Sequence, residues 1–117
     1  MEYIRPNPLG GPAHMMRCAA NIAWAHHERW DGGGYPRGLK GDEIPIEARI
    51  VALADVYDAL TSKRIYKPSL PHDQAQKIII AGSGSHFDPK VVTVFLAVEK
   101  EFETIAAEMR STSEIRK

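Results

Sequence analysis

Apolar and polar positions along the chain fall into four blocks separated by glycine- and proline-rich breaks. From Ala13 to Arg29 there is no Gly or Pro, and Met15, Cys18, Ala19, Ile22, Ala23 and His26 recur at helical spacing, which predicts a helix over residues 13–29. Gly32, Gly33, Gly34, Pro36, Gly38 and Gly41 exclude a regular element between Trp30 and Glu43, so a long shaped loop is expected there. Pro45 suits a first helical turn, and Ile46, Ile50, Leu53, Tyr57 and Leu60 mark one apolar face of a helix over 46–62. The other faces of that segment are apolar too, which predicts a buried helix.

Pro68 and Pro71 break the chain again, and a short helix over 72–82 stops at Gly82-Ser83-Gly84. A turn at His86-Phe87-Asp88-Pro89 leads into a last helix over 89–109, with Asp88 as N-cap and Val92, Phe95, Leu96, Glu99, Phe102 and Ala106 along one stripe. Residues 1–12 read as an irregular lead-in, 13–110 as the folded part and 111–117 as a frayed tail. No alternating run of strand length occurs, so the fold class is all-α: a bundle of about four helices carrying a long Gly-rich loop.

Charge narrows the partner classes. Fifteen Lys and Arg balance 15 Asp and Glu, so no whole-chain field draws in a nucleic-acid polymer or an anionic membrane, and any anion must be held by a local cluster. No apolar run approaches the roughly 20 residues of a membrane span, and the first residues lack a signal-peptide pattern, so a cytoplasmic protein is expected. The single cysteine, Cys18, lies in an apolar run and reads as a core residue rather than a nucleophile.

Three clusters carry candidate chemistry. His26 and His27, with Glu28 beside them, sit between the first helix and the glycine-rich loop. Successive helical side chains diverge by about 100°, so the pair can reach two points of one cleft as metal ligands. The alternative is a pair of surface histidines suited to a helix C-terminus. Asp55 and Asp58 lie three apart in the apolar helix and need partners if they are buried, either a cation site or an ion pair with Arg49, Arg64 or Lys67. Lys63, Arg64 and Lys67 gather three cations after that helix, fit either for a phosphate or for solvent.

The stretch His26-His27-Glu28-Arg29-Trp30-Asp31-Gly32-Gly33-Gly34-Tyr35-Pro36-Arg37-Gly38-Leu39-Lys40-Gly41 closely resembles the signature of HD-GYP domains, a branch of the HD phosphohydrolase superfamily. The resemblance continues through Ile44-Pro45, the run from Ala48 to Ser62, then Arg64, Tyr66-Lys67, Gly84 and Phe87-Asp88-Pro89. It implies part of an HD-domain helical bundle from a bacterial signalling phosphodiesterase that hydrolyses cyclic dinucleotides of the cyclic di-GMP type, within such proteins as response regulators. It further implies divalent iron or manganese as cofactor, with His26, His27 and Asp55 as metal ligands and Arg64 and Lys67 as substrate contacts. Glu28, Asp31 and Asp58 become supporting residues, and Gly34, Tyr35 and Pro36 form the naming tripeptide, which the resemblance links to contacts with diguanylate cyclase domains.

The chain departs from the pattern in one respect. The family's His-Asp pair belongs upstream of the signature, whereas the one such pair here, His72-Asp73, follows Pro71 and reads as a helix start. His14, the sole candidate for a further upstream ligand, reads as a core or surface residue. These features predict the C-terminal half of the domain, inactive alone, either as an enzyme fragment or as a non-catalytic interaction module. Apolar helices without upstream partners also predict a homo-oligomer.

Overall fold

The computed structural model describes residues 12–62 and 67–115. Four α-helices follow one another: α1 (Pro12–Ala25), α2 (Ile46–Thr61), α3 (His72–Ala81) and α4 (Pro89–Ile115), with a single 3-10 turn at Gly41–Glu43. Among the described residues there is no strand, and pairing outside the helices is limited to isolated bridges such as Ser83 to Phe87. The expected all-α class holds. The expected lead-in falls largely outside the described residues.

A proline stands at each of the four helix starts, because a missing N–H costs nothing there. Pro12 and Pro89 open α1 and α4, and the Pro45 carbonyl accepts from Ala48 N and Arg49 N at the entry to α2. α1 ends at Ala25, short of the expected Arg29, since Glu28 N turns back to Ala25 O at 3.1 Å and the chain departs into the loop. α4 runs to Ile115, beyond the expected end and into the segment read as a frayed tail. It is broken at Val98, whose φ of −120° and ψ of 15° are not helical.

α2 is the central element, packed against each of the other three helices. Its Leu53 and Tyr57 join Ala75 and Ile79 of α3, Phe87, and Val91, Val92 and Phe95 of α4 in the main core. Tyr57, Phe95 and Phe102 meet with ring centroids 5.2 to 5.7 Å apart, in tilted or edge-on contacts suited to aromatic quadrupoles. A smaller cluster of Ala25, Ile44 and Ala48, flanked by Trp24 and Leu39, fastens α1 and the glycine-rich loop to the start of α2.

The expectation that α2 is buried all round is corrected. Ile46 and Ile50 are about half exposed, and Asp55 and Asp58 are exposed, because the other helices cover only the side bearing Ala48, Ala52, Leu53, Tyr57 and Thr61. Ile46 and Ile50 instead form one wall of an apolar groove of about 320 Å³ whose other wall is α4, through Val91, Val94 and Phe95. Cys18 is half-buried rather than in a core, 3.7 Å from His14 Nε2. Partial desolvation and the nearby Glu47 carboxylate push its thiol above the usual range, which leaves it a poor nucleophile.

One ion pair ties the start of α2 to the start of α4. Arg49 Nη1 lies 2.8 Å from Asp88 Oδ2, while its Nε donates to Ile44 O at 2.9 Å. Asp88 is 2% exposed, and its other oxygen accepts from Lys90 N at 2.9 Å, so the expected N-cap also acts as the partner of Arg49. Replacement of Asp88 by Ala removes a cap worth about 1 kcal/mol and leaves a mostly buried guanidinium short of its counter-charge. We expect Asp88→Ala to cost about 2–4 kcal/mol in urea unfolding followed by circular dichroism; a loss within about 0.5 kcal/mol would mean that the pair contributes no more than an exposed one.

Candidate active site

The site begins where α1 stops. In the turn after Ala25, His26 Nδ1 lies 2.8 Å from Ile22 O, so in the neutral ring Nδ1 carries the proton and Nε2 keeps the lone pair. The His26 and His27 rings are 3.9 Å apart between centroids, packed together rather than diverging as the helical spacing predicted. They lie just beyond the helix, where the 100° rule no longer governs them. His27 stacks on Tyr35 at 4.9 Å with 17° between ring planes.

Glu28 explains the loop. Its side chain is buried, and its two oxygens accept from Arg37 N at 2.9 Å and Leu39 N at 2.8 Å, satisfying two loop amides that sheets or helices would otherwise pair. Gly34 then passes so close to the preceding backbone that a Cβ would stand 2.5 Å from both His27 O and Arg29 N. Only glycine fits there. Asp31 Oδ1 accepts from Gly33 N at 2.8 Å, and its carboxylate meets Arg29 Nε and Nη2 at 3.3 Å each.

A second segment closes the site from the far end of the sequence. Trp30 N donates to His86 O at 3.1 Å and Asp31 N to Ser85 O at 2.9 Å, so the turn before α4 is fixed to the glycine-rich loop. His86 stacks on Phe87 at 4.3 Å with 7° between planes. Burial pushes the His86 imidazole below its ordinary value of 6.5, the Arg29 guanidinium pushes the same way, and Asp31 partly opposes them. At neutral pH His86 is therefore an uncharged ring with one donor and one acceptor nitrogen.

These segments and one face of α2 enclose a cleft of about 320 Å³, lined by His26, His27, Arg29, Tyr35, Asp55 and His86 among others. His26, His27 and Asp55 thus converge on one cavity. Asp55 is not paired with Arg49, which is engaged with Asp88 and, more loosely, Asp42. Asp58 is oriented otherwise, its Oδ1 accepting from Ser62 Oγ at 2.9 Å. Lys67 Nζ donates to Ala59 O at 3.0 Å, capping the last turn of α2 rather than lining the cleft. Arg64 lies outside the described residues. His72 belongs elsewhere, 3.0 Å from the Tyr57 hydroxyl at the start of α3.

The donor types suit a divalent transition metal: a fixed-tautomer imidazole, a second imidazole and a carboxylate on the facing helix. Among the described residues, no three His, Cys, Asp or Glu side chains stand close enough together to hold one ion. His26, His27 and Asp55 thus share one cleft without forming a three-donor cluster. The reading from sequence alone missed Arg29 and His86 as cleft residues. His86 sat in a segment read as a turn, and nothing local shows that this turn pairs with a loop 54 to 56 residues earlier.

A family model described as HD domain matches residues 9–91. A cyclic di-GMP phosphodiesterase of Vibrio cholerae is 53% identical over 103 residues, covering 88% of this chain and 21% of the relative. A 3'3'-cGAMP-specific phosphodiesterase of the same organism is 47% identical over 95 residues, covering 81% of this chain and 18% of the relative. The crystal structure of a cyclic GMP-AMP specific phosphodiesterase from V. cholerae matches with a TM-score of 0.54 and 27% identity, over 79% of this chain and 26% of that one. The chain therefore spans about a fifth to a quarter of the length of the proteins it resembles.

Asp31 gives the site an acid limit. The Arg29 side chain beside it, then the Gly33 amide, hold its carboxyl below the ordinary 3.8. A depressed carboxyl contributes above its unfolded value and loses that contribution as pH falls through its folded value. The Arg29–Asp31 clamp is therefore expected to persist at pH 3.8 and release below it, read from exchange of the Gly33 amide by NMR. Release centred above pH 3.8 would show that the clamp does not hold Asp31 ionised.

Proposed function

The chain belongs to the HD domain family, its signature stretch being that of the HD-GYP branch, and from that premise we propose that it forms part of a metal-dependent phosphodiesterase acting on cyclic dinucleotides of the cyclic di-GMP type. The observation that carries the proposal is the convergence of His26, His27 and Asp55 on one cleft, with Asp55 left unpaired by Arg49. Those three residues hold divalent iron or manganese, and Arg64 serves the substrate, whereas Lys67 is engaged with Ala59 O outside the cleft. When bound, such ions supply Lewis acidity that activates water and offsets charge on phosphate oxygens.

The chain's own contribution is positional. Ile22 O keeps the His26 lone pair on Nε2, Tyr35 limits rotation of the His27 ring by stacking, and Glu28 holds the loop that carries Tyr35. Three donors spread over more than one ion leave each ion under-coordinated, so we propose that residues 13–110 act within a larger domain, with little hydrolysis by the chain alone. A second reading, contact with diguanylate cyclase domains through the Gly34-Tyr35-Pro36 loop, draws on the 63% exposure of Tyr35.

Manganese binding tests the first reading directly. The full chain is expected to retain Mn2+ in electron paramagnetic resonance titrations, and His27→Ala or Asp55→Ala to weaken retention about tenfold or more. Unchanged retention in both variants would remove these residues from the metal centre. Self-association tests the role of the uncovered groove. We propose that a second copy covers Ile46, Ile50 and Val94, so sedimentation should show a dimer at tens of micromolar that Ile50→Glu converts to monomer. A monomeric parent chain would mean that the groove has no partner of its own kind.

A further inference from the structure

Beyond the proposed metal ligands, the cleft contains two groups whose hydrogen-bonding capacity is unused. We infer that Arg29 and His86 form a phosphate-binding subsite that takes a non-bridging oxygen of the phosphodiester of a cyclic dinucleotide. The inference rests on the phosphodiesterase reading for the identity of the ligand, but not on any of the three proposed metal ligands.

Arg29 is aimed rather than loose. Asp31 engages Nε and Nη2, Asp31 is itself anchored by Gly33 N, and Nη1 has no partner among the described residues. A guanidinium held on one edge by a carboxylate still presents its remaining donors in a fixed plane, the geometry that phosphate oxygens accept. His86 is half-buried and lines the same cleft, and neither of its ring nitrogens has a hydrogen-bond partner among the described residues. A purely structural role would account for its stacking on Phe87, yet a phenyl ring at 86 would stack equally well and bring no polar atoms into the cleft.

The two groups are held together before any ligand arrives. The bonds from Trp30 N to His86 O and from Asp31 N to Ser85 O fix the loop bearing Arg29 to the turn bearing His86. Both side chains line the same cleft. Asp31 offsets much of the Arg29 charge, so the subsite has little field of its own. It selects by fixed donors, which favours an oxygen delivered by a ligand already anchored elsewhere in the cleft over a free anion.

Calorimetric titration of the full chain with cyclic di-GMP, with and without Mn2+, tests the inference. His86→Phe, which keeps the stack and deletes the nitrogens, is expected to weaken binding about tenfold, the worth of one hydrogen bond to a charged group. His86→Asn should recover much of that loss, and Arg29→Gln should weaken binding by a similar factor. The double variant should lose less than the product of the two factors, because both residues serve one phosphate. Mn2+ retention should be unchanged in His86→Phe and Arg29→Gln, which separates this subsite from the metal ligands. Loss of dinucleotide affinity in His86→Phe while His27→Ala retains Mn2+ fully would uphold the subsite and sink the metal reading. The inference is overturned if His86→Phe and Arg29→Gln bind as the parent does, if the parent binds no cyclic di-GMP in either buffer, or if inorganic phosphate competes at equal concentration. Should His86→Phe lose helical circular dichroism, the Asn and Gln variants decide the matter alone.

Discussion

A single buried carboxylate governs the shape of the cleft. Glu28 is 3% exposed, and its two oxygens take the amides of Arg37 and Leu39. A carboxylate in that position is tolerable only because it is hydrogen-bonded on both oxygens, and the loop amides are tolerable for the same reason. The mutual need closes a loop that has no helix or strand to organise it. Once closed, the loop must bring Gly34 across the His27 and Arg29 backbone at a distance that excludes any side chain. That crossing sets Tyr35 on His27 and turns the Trp30 and Asp31 amides towards Ser85 and His86.

The second constraint is the position of α2. It is the helix on which the other three pack, so its inner side is fixed by Leu53 and Tyr57 and its entry by Arg49. Residues one or two positions away from that side are then also fixed in direction, which is how Asp55 comes to face the cleft while remaining exposed. Arg49 contributes by its choice of partner. Its bond to Asp88 couples α2 to the start of α4, hence to the turn bearing His86, and keeps Arg49 from pairing with Asp55. The same cation that seemed able to explain away Asp55 is used elsewhere.

Most of the fold was legible because its punctuation is local. Proline at 12, 45, 71 and 89 and glycine at 82 act through the residue's own backbone, and the helices start or stop within a few residues of them. Heptad-like spacing found Leu53, Tyr57, Val92 and Phe95 for the same reason. The failures share a different cause. The early end of α1 depends on the loop's claim on Glu28, the exposure of Ile46, Ile50 and Asp55 depends on which helices reach that side, and the place of His86 depends on a backbone pairing across 54 to 56 residues. Periodicity reports how apolar a face is and not whether anything covers it. The resemblance brought His26, His27 and Asp55 together before the structure did, but it carried no information on Arg29 and His86, which only the folded loop makes neighbours of the histidine pair.

Many residues of the signature are therefore engaged in shaping the loop rather than in the proposed chemistry. Glu28, Asp31, Gly33 and Gly34 are occupied with the backbone of the loop itself, and each would be required of any loop that crosses itself this tightly, whatever the cleft contained. Among the described cleft residues, the groups left with unused donors or lone pairs are His26 at Nε2, His27, Asp55, His86 and the free edge of Arg29. That division has a physical basis. A side chain already committed to holding a loop has no capacity to bind a ligand, and a side chain free to bind must be held in place by others or it lacks direction. The loop supplies direction, and the five uncommitted groups around it carry opposite polarities, carboxylate and imidazole lone pairs beside guanidinium and imidazole donors.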